Sequence, residues 1–195
     1  MFKAKRRTVV TATAVAAVLL AGALAATLLT SGKGDSASGA VGGGNSVAYP
    51  AGHRPLAPDI TGTSLTGSPI KLSGYRGKTV VLNFWGSWCS PCRGEAPVLA
   101  LLDNQYRSKG VAFLGDDVGD TPANALAFTR GVGISYPSIN DQAYAVVAQL
   151  SRVVPVSDTP TTVVIDKTGH VAGTILGAVN YGEMTTLLHD AAVTQ

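Results

Sequence analysis

Residues 79–97, TVVLNFWGSWCSPCRGEAP, limit what this chain can fold into and do more than any other stretch. Thr79 to Trp85 is an almost unbroken apolar run of strand length, the pattern of a strand buried on both faces. A short turn follows, and then a helix that opens at Cys89. Both cysteines of the chain lie here, as Cys89-Ser90-Pro91-Cys92. Two residues between cysteines at a helix start allow a disulfide within one turn. The helix N-terminus offers unpaired N–H groups and the positive end of a dipole, which stabilise a thiolate. Pro91 suits the first turn, where its missing N–H is no loss. The chemistry this predicts is thiol–disulfide exchange, with Cys89 as the accessible, low-pKa nucleophile. Cys92, one turn inside, resolves the mixed disulfide, and the Ser90-Pro91 dipeptide tunes the potential.

Two other uses of a C-x-x-C fit less well. Zinc requires three or four protein ligands, and His53, His170 and His189 stand at no ligand-like spacing. A purely structural disulfide would close the shortest of loops, which constrains the unfolded chain least.

The formal net charge of +3 comes from the N-terminus. Lys3, Lys5, Arg6 and Arg7 are four of 15 basic residues, so the remainder balances the 12 acidic ones and gives no electrostatic case for nucleic acid. Residues 8–32 carry no charge and form a run of about 25 residues, enough to cross a bilayer. The basic flank then places the N-terminus inside and the rest outside. Ala23-Leu24-Ala25 offers a cleavage site for a signal peptide, but the apolar run continues past it, which favours an anchor over residues 1–32. No cysteine precedes Cys89, which excludes lipid attachment through one. Either way the domain is exported, to a compartment where disulfides persist. Residues 33–56 begin Gly/Ser-rich and turn proline-rich, and are expected to be a flexible linker, with His53 an exposed polar residue. The folded domain is expected over residues 57–195.

Residues 60–65 and 68–72 read as two short strands. The helix after Cys92 carries Leu99, Leu102 and Tyr106 on one face, with Pro97 expected to kink it. Residues 111–115 form the next strand. Asp116, Asp117, Gly119 and Asp120 read as a solvated polar turn beyond it. Thr121-Pro122 opens a helix by N-cap and first-turn proline. Residues 136–139 form a short strand, and Asp141 caps a helix through Leu150. Residues 161–165 and 170–176 make a hairpin around Asp166-Lys167-Thr168-Gly169. Asn180 and Glu183 open the last helix as a capping pair.

WCSPC after VVLNFW resembles the thioredoxin superfamily. APDITGTSLTGSPIKLSGYRGKTVVLNFWGSWCSPCRGEAP and DTPTTVVIDKTGHVAGTILG narrow the resemblance to TlpA/ResA/CcmG-like extracytoplasmic thiol–disulfide oxidoreductases, over Ala57 to the end. The resemblance implies an α/β thioredoxin fold with an N-terminal β-hairpin and a central αβ insertion. It implies that Pro160 is a cis-proline beside the redox pair, with Thr159 presenting its backbone to an extended substrate; without the resemblance, Pro160 is a strand-start proline. It gives Glu95 a functional place, where a buried acid could exchange a proton with Cys92. The same residue also reads as an exposed first-turn glutamate. Asn83 stands where many cytoplasmic thioredoxins carry a buried aspartate, a departure that agrees with this branch. Trp88 is expected to pack over the disulfide and shape the docking surface, with Trp85 as core. No cofactor beyond the Cys89–Cys92 pair is expected, since no nicotinamide or flavin motif is present. The implied partners are exported protein disulfides, apocytochrome c among them, and a membrane thiol carrier as electron donor. Two alternatives share the fold. A thiol peroxidase would need Thr or Ser at Gly86 and Pro at Leu82. A copper chaperone would need a wider cysteine spacing and a distant histidine.

Overall fold

A computed structural model describes residues 41–43, 45–156 and 158–192. The expected anchor, residues 1–32, lies outside them, and among the described residues no helix is long and apolar enough to cross a membrane. The strands are β1 (Val41–Gly43), β2 (Ser46–Ala48), β3 (Thr61–Thr63), β4 (Pro69–Lys71), β5 (Thr79–Trp85), β6 (Val111–Val118), β7 (Ser138–Asp141), β8 (Thr161–Ile165) and β9 (Val171–Leu176). The helices are α1 (Ser90–Tyr106), α2 (Pro122–Val132), α3 (Ala145–Leu150) and α4 (Tyr181–Ala192). Seven strands form one sheet in the order β1-β2-β9-β8-β5-β6-β7. The pairs β5–β6 and β6–β7 are parallel, and the others antiparallel. This is the thioredoxin fold, with β3–β4 as a separate hairpin and α2, β7 and α3 inserted after β6.

Strand β5 lies inside the sheet between β8 and β6, and every one of its residues is buried. Alternation sends Val80, Leu82 and Phe84 to one face, where they pack with Leu114, Ile139, Val163 and Leu150. Val81 faces the other side and packs with Leu99, Leu102, Met184 and Leu187. The parallel β5–β6 pairing requires a crossover, and α1 supplies it. The centre of the sheet thus aims the C-terminal end of β5 at the N-terminus of α1, where the cysteines lie. Pro97 falls inside α1, which continues to Tyr106.

Three expectations are corrected. The stretch 33–56 is not linker throughout: β1 and β2 form a hairpin, and β2 extends the sheet by pairing with β9. Even a Gly-rich strand is held when a free sheet edge satisfies its backbone groups. Arg54 adds a clamp, bonding Asp166 at 3.1 Å, the Tyr49 carbonyl at 3.1 Å and the Asp190 carbonyl at 2.9 Å. Second, β7 runs from Ser138 to Asp141 rather than over 136–139, and α3 begins at Ala145. Asp141 still caps α3, its carboxylate accepting the N–H groups of Ala145 and Val146 at 2.8 and 2.9 Å.

Third, Asp116 and Asp117 are not solvated. Both lie within β6 and are fully buried, and Asp120 is buried too. Among the described residues, no backbone N–H or neutral side-chain donor reaches either carboxylate. Burial first, then the nearby Asp141, pushes the Asp116 pKa up to about 9, which favours its protonated form at neutral pH. Burial and Asp120 push Asp117 up to about 7. A folded-state pKa above the unfolded 3.8 means that the contribution of Asp116 to stability is fullest below pH 4 and declines until pH passes about 9. Asp116→Asn removes that titration. It should raise stability at pH 7 by roughly 2 kcal/mol, after allowing for the amide's own unpaired atoms. Denaturant titrations at pH 5, 7 and 9 check this: the gain must grow with pH.

Candidate active site

Cys89 is the N-cap of α1, in extended conformation, and Cys92 lies in its first turn. The two are joined as a disulfide, with Cα atoms 5.3 Å apart. The Cys89 sulfur accepts the Cys92 backbone N–H at 3.2 Å. The helix N-terminus therefore delivers an N–H group directly to Cys89, which is what a thiolate there requires. Gly86 is needed just before it: a Cβ at that position would lie 2.5 Å from the Trp88 indole nitrogen.

Facing Cys89 is the loop that enters β8. The Thr159–Pro160 peptide is cis, and the Thr159 carbonyl oxygen lies 3.7 Å from the Cys89 sulfur. Pro160 is buried and Thr159 half-buried. Ser90 and Pro91, between the cysteines, are exposed. The Cys89 sulfur thus has the Thr159 backbone and the exposed Ser90-Pro91 pair as neighbours.

The expected exposure of Cys89 is not observed: Cys89 and Cys92 are 3% and 2% exposed. They share an apolar cluster with Trp85, Ala96, Ala125 and Phe128. Trp85 thus packs with the disulfide, and its ring lies 5.2 Å from that of Phe128. Trp88 is 57% exposed and donates its indole N–H to the Val118 carbonyl at 3.2 Å. Strand alternation places Trp85 on the helix-packed face, whereas Trp88, in the turn, has no sheet face to fill.

Glu95 is 2% exposed, which rules out the exposed first-turn reading. One carboxylate oxygen accepts the Asn83 amide at 2.8 Å, and the other accepts the Val179 backbone N–H at 2.7 Å. Asn83 also donates to the Thr162 hydroxyl at 2.9 Å. Burial raises the Glu95 pKa to about 7, against the two hydrogen bonds, which lower it. An acid one turn from Cys92 is thus poised to hold or release a proton near neutral pH. Asn83 is the positioning residue for Glu95. Strand alternation put Asn83 on the same face as Val81, but the Val179 N–H, a backbone group 84 residues distant, left no mark on the sequence.

Two further residues escaped the sequence reading. Asp120 accepts the Ser87 N–H at 2.8 Å and the Thr121 N–H at 2.7 Å. Burial alone would raise its pKa, but these bonds outweigh it and hold the carboxylate below its ordinary value. Arg93 donates to the Ser87 carbonyl and lies over the Phe128 ring, 5.4 Å from its centroid. Ser87 is therefore held through both its N–H and its carbonyl, which fixes the turn that carries Cys89.

Comparison with known proteins agrees with this geometry. Residues 54–174 match the AhpC/TSA family. The thiol-disulfide oxidoreductase ResA of Geobacillus kaustophilus (strain HTA426) is 38% identical over 123 residues, which are 63% of this chain and 68% of that protein. A crystal structure of a DsbF homologue from Corynebacterium diphtheriae superposes with a TM-score of 0.69 at 35% identity, covering 76% of this chain and 94% of that one. A secreted thiol-disulfide isomerase from Corynebacterium glutamicum gives 0.71 at 34% identity, covering 76% and 93%. With the cysteine pair at the start of α1 and the cis-proline loop against it, the chain belongs to the AhpC/TSA family of thioredoxin-fold proteins and is a ResA-like thiol–disulfide oxidoreductase.

Proposed function

We propose that this enzyme works outside the cytoplasm, held at the membrane by residues 8–32, and reduces disulfides in exported polypeptides. The observation that carries the substrate class is the meeting of the Cys89 sulfur with the Thr159 carbonyl beside the cis bond. It sets a reactive sulfur next to backbone that an extended chain can pair with. The basic cluster followed by an uncharged apolar run supports export. Similarity to a ResA and to a secreted isomerase supports it too.

Glu95 supports the reducing direction. A carboxylate buried one turn from Cys92 opposes further negative charge nearby. It disfavours the thiolate form of the dithiol and so favours the disulfide, which makes the reduced pair a better electron donor. The resemblance to the ResA-like branch points to apocytochrome c cysteines as a target, and to a membrane thiol carrier as the source of electrons. The Cys89–Cys92 pair is the one redox group this reading requires.

Equilibrating the domain with glutathione or dithiothreitol and following Trp fluorescence yields the potential. A value near the thioredoxin end, about −270 mV, is expected. A value near about −120 mV, the strongly oxidising end, overturns the reductant reading.

A further inference from the structure

A groove of about 720 Å³ opens beside the redox turn, and neither Thr159 nor Pro160 is among its lining residues. Ser87, Trp88 and Arg93 form one wall, and Asn124, Phe128 and Gly131 of α2 face them. Its character is mixed. Trp88 offers an exposed indole, and the largely buried Phe128 also lines the groove beneath Arg93. Arg93 is exposed and brings a cation. One of the five N–H donors of a guanidinium goes to the Ser87 carbonyl, and no other described group accepts from it. No carboxylate is among the groove's lining residues. The nearby Asp120 is already committed to the Ser87 and Thr121 N–H groups. The groove thus pairs an apolar surface with a positive charge whose donors are largely unused, close beside the redox pair.

We propose that this groove receives the segment of the target polypeptide next to its disulfide, and selects an apolar residue adjoining an acidic one. The proposal rests on the exchange reading above and adds a selectivity to it. The target backbone passes Thr159 beside Cys89. Its flanking side chains enter between Trp88, Arg93 and α2. The apolar side chain gains burial against Trp88, and the carboxylate gains the free guanidinium N–H groups.

The test uses the reduced protein in single-turnover reactions with three disulfide-looped peptides. They are identical except for two flanking residues: Leu-Glu, Leu-Lys or Gly-Gly. Hydroxyethyl disulfide, which has nothing to place in the groove, measures the exchange chemistry alone. The wild type should reduce the Leu-Glu peptide about fivefold faster than the Leu-Lys peptide at low salt, with the difference shrinking at high salt. Arg93→Glu, with rates normalised to hydroxyethyl disulfide, should invert the preference. Gly131→Phe fills the groove, since the space beyond the Gly131 Cα is open. It should bring all three peptides to the Gly-Gly rate and leave the hydroxyethyl disulfide rate unchanged. Equal rates for the three peptides in the wild type, or discrimination that survives Gly131→Phe, overturns the proposal while exchange itself stands. A wild type inactive toward hydroxyethyl disulfide overturns the exchange reading and the groove with it.

Discussion

Cys92→Ser is expected to turn the enzyme into a trap, with turnover of protein disulfides falling below about 1% of wild type and mixed disulfides accumulating. The group that stabilises the Cys89 sulfur is the backbone N–H of residue 92, which survives the substitution. Cys89 therefore still attacks. It forms a bond with one sulfur of the target and releases the other as a thiolate. Without a second thiol in the first turn of α1, that bond has no internal route to break. Cys89→Ser loses the nucleophile and should form no adducts. The burial of both sulfurs adds a condition, since a target must displace part of the cover over Cys89 to reach it. Folded targets with buried disulfides should therefore be poor adduct partners, and extended ones good. Non-reducing gels of cells expressing each variant, with adducts released by dithiothreitol, read the result and identify the targets. If Cys92→Ser traps nothing while Cys89→Ser does, the roles are reversed.

Glu95→Gln is expected to leave the fold intact, slow exchange at pH 7 by about a hundredfold and remove the rate inflection near neutral pH. Both partners of the carboxylate are donors, so the introduced amide would direct an N–H at one of them. Asn83 can absorb this by turning its own amide over, presenting its oxygen to the introduced N–H and to the Thr162 hydroxyl. The stability consequence has a definite sign. The folded pKa, about 7, lies above the ordinary 4.5, so the folded state binds this proton more tightly than the unfolded one. The contribution of Glu95 to wild-type stability is therefore fullest below about pH 4.5 and declines as pH rises through 7. The full difference is about 3 kcal/mol. Subtracting the variant's denaturation free energies from those of the wild type between pH 4 and 8 isolates this slope. A flat difference removes Glu95 as the titrating group. An unchanged rate profile in the variant assigns the proton transfer elsewhere.

The chemistry of this protein was readable in a single stretch because it is local. A buried strand, a tight turn and a helix opened by Cys89 are decided by residues 79–97 themselves, and so is the closeness of two sulfurs one turn apart. The caps at Thr121 and at Asn180–Glu183 were equally local, and the side chains make the bonds expected of them. Contacts across long sequence separations were not readable. Asp116 and Asp117 look like turn residues because charged pairs belong in water. Parallel pairing on both edges of β6 carries them into the interior. The Gly-rich stretch before Tyr49 looks like linker because it has few side chains to bury, yet the open edge of β9 supplies backbone partners that no local pattern signals. The division between Trp85 and Trp88 followed from which of them lies in the sheet. The sequence by itself determined the reactive pair and the strand, turn and helix that carry it. Tertiary structure alone decided that Glu95 is buried between Asn83 and Val179, that Cys89 lies under cover, and that Ser87 is held between Asp120 and Arg93. Each of these depends on groups that meet only after the chain has crossed the sheet, and on the loss of water when they do.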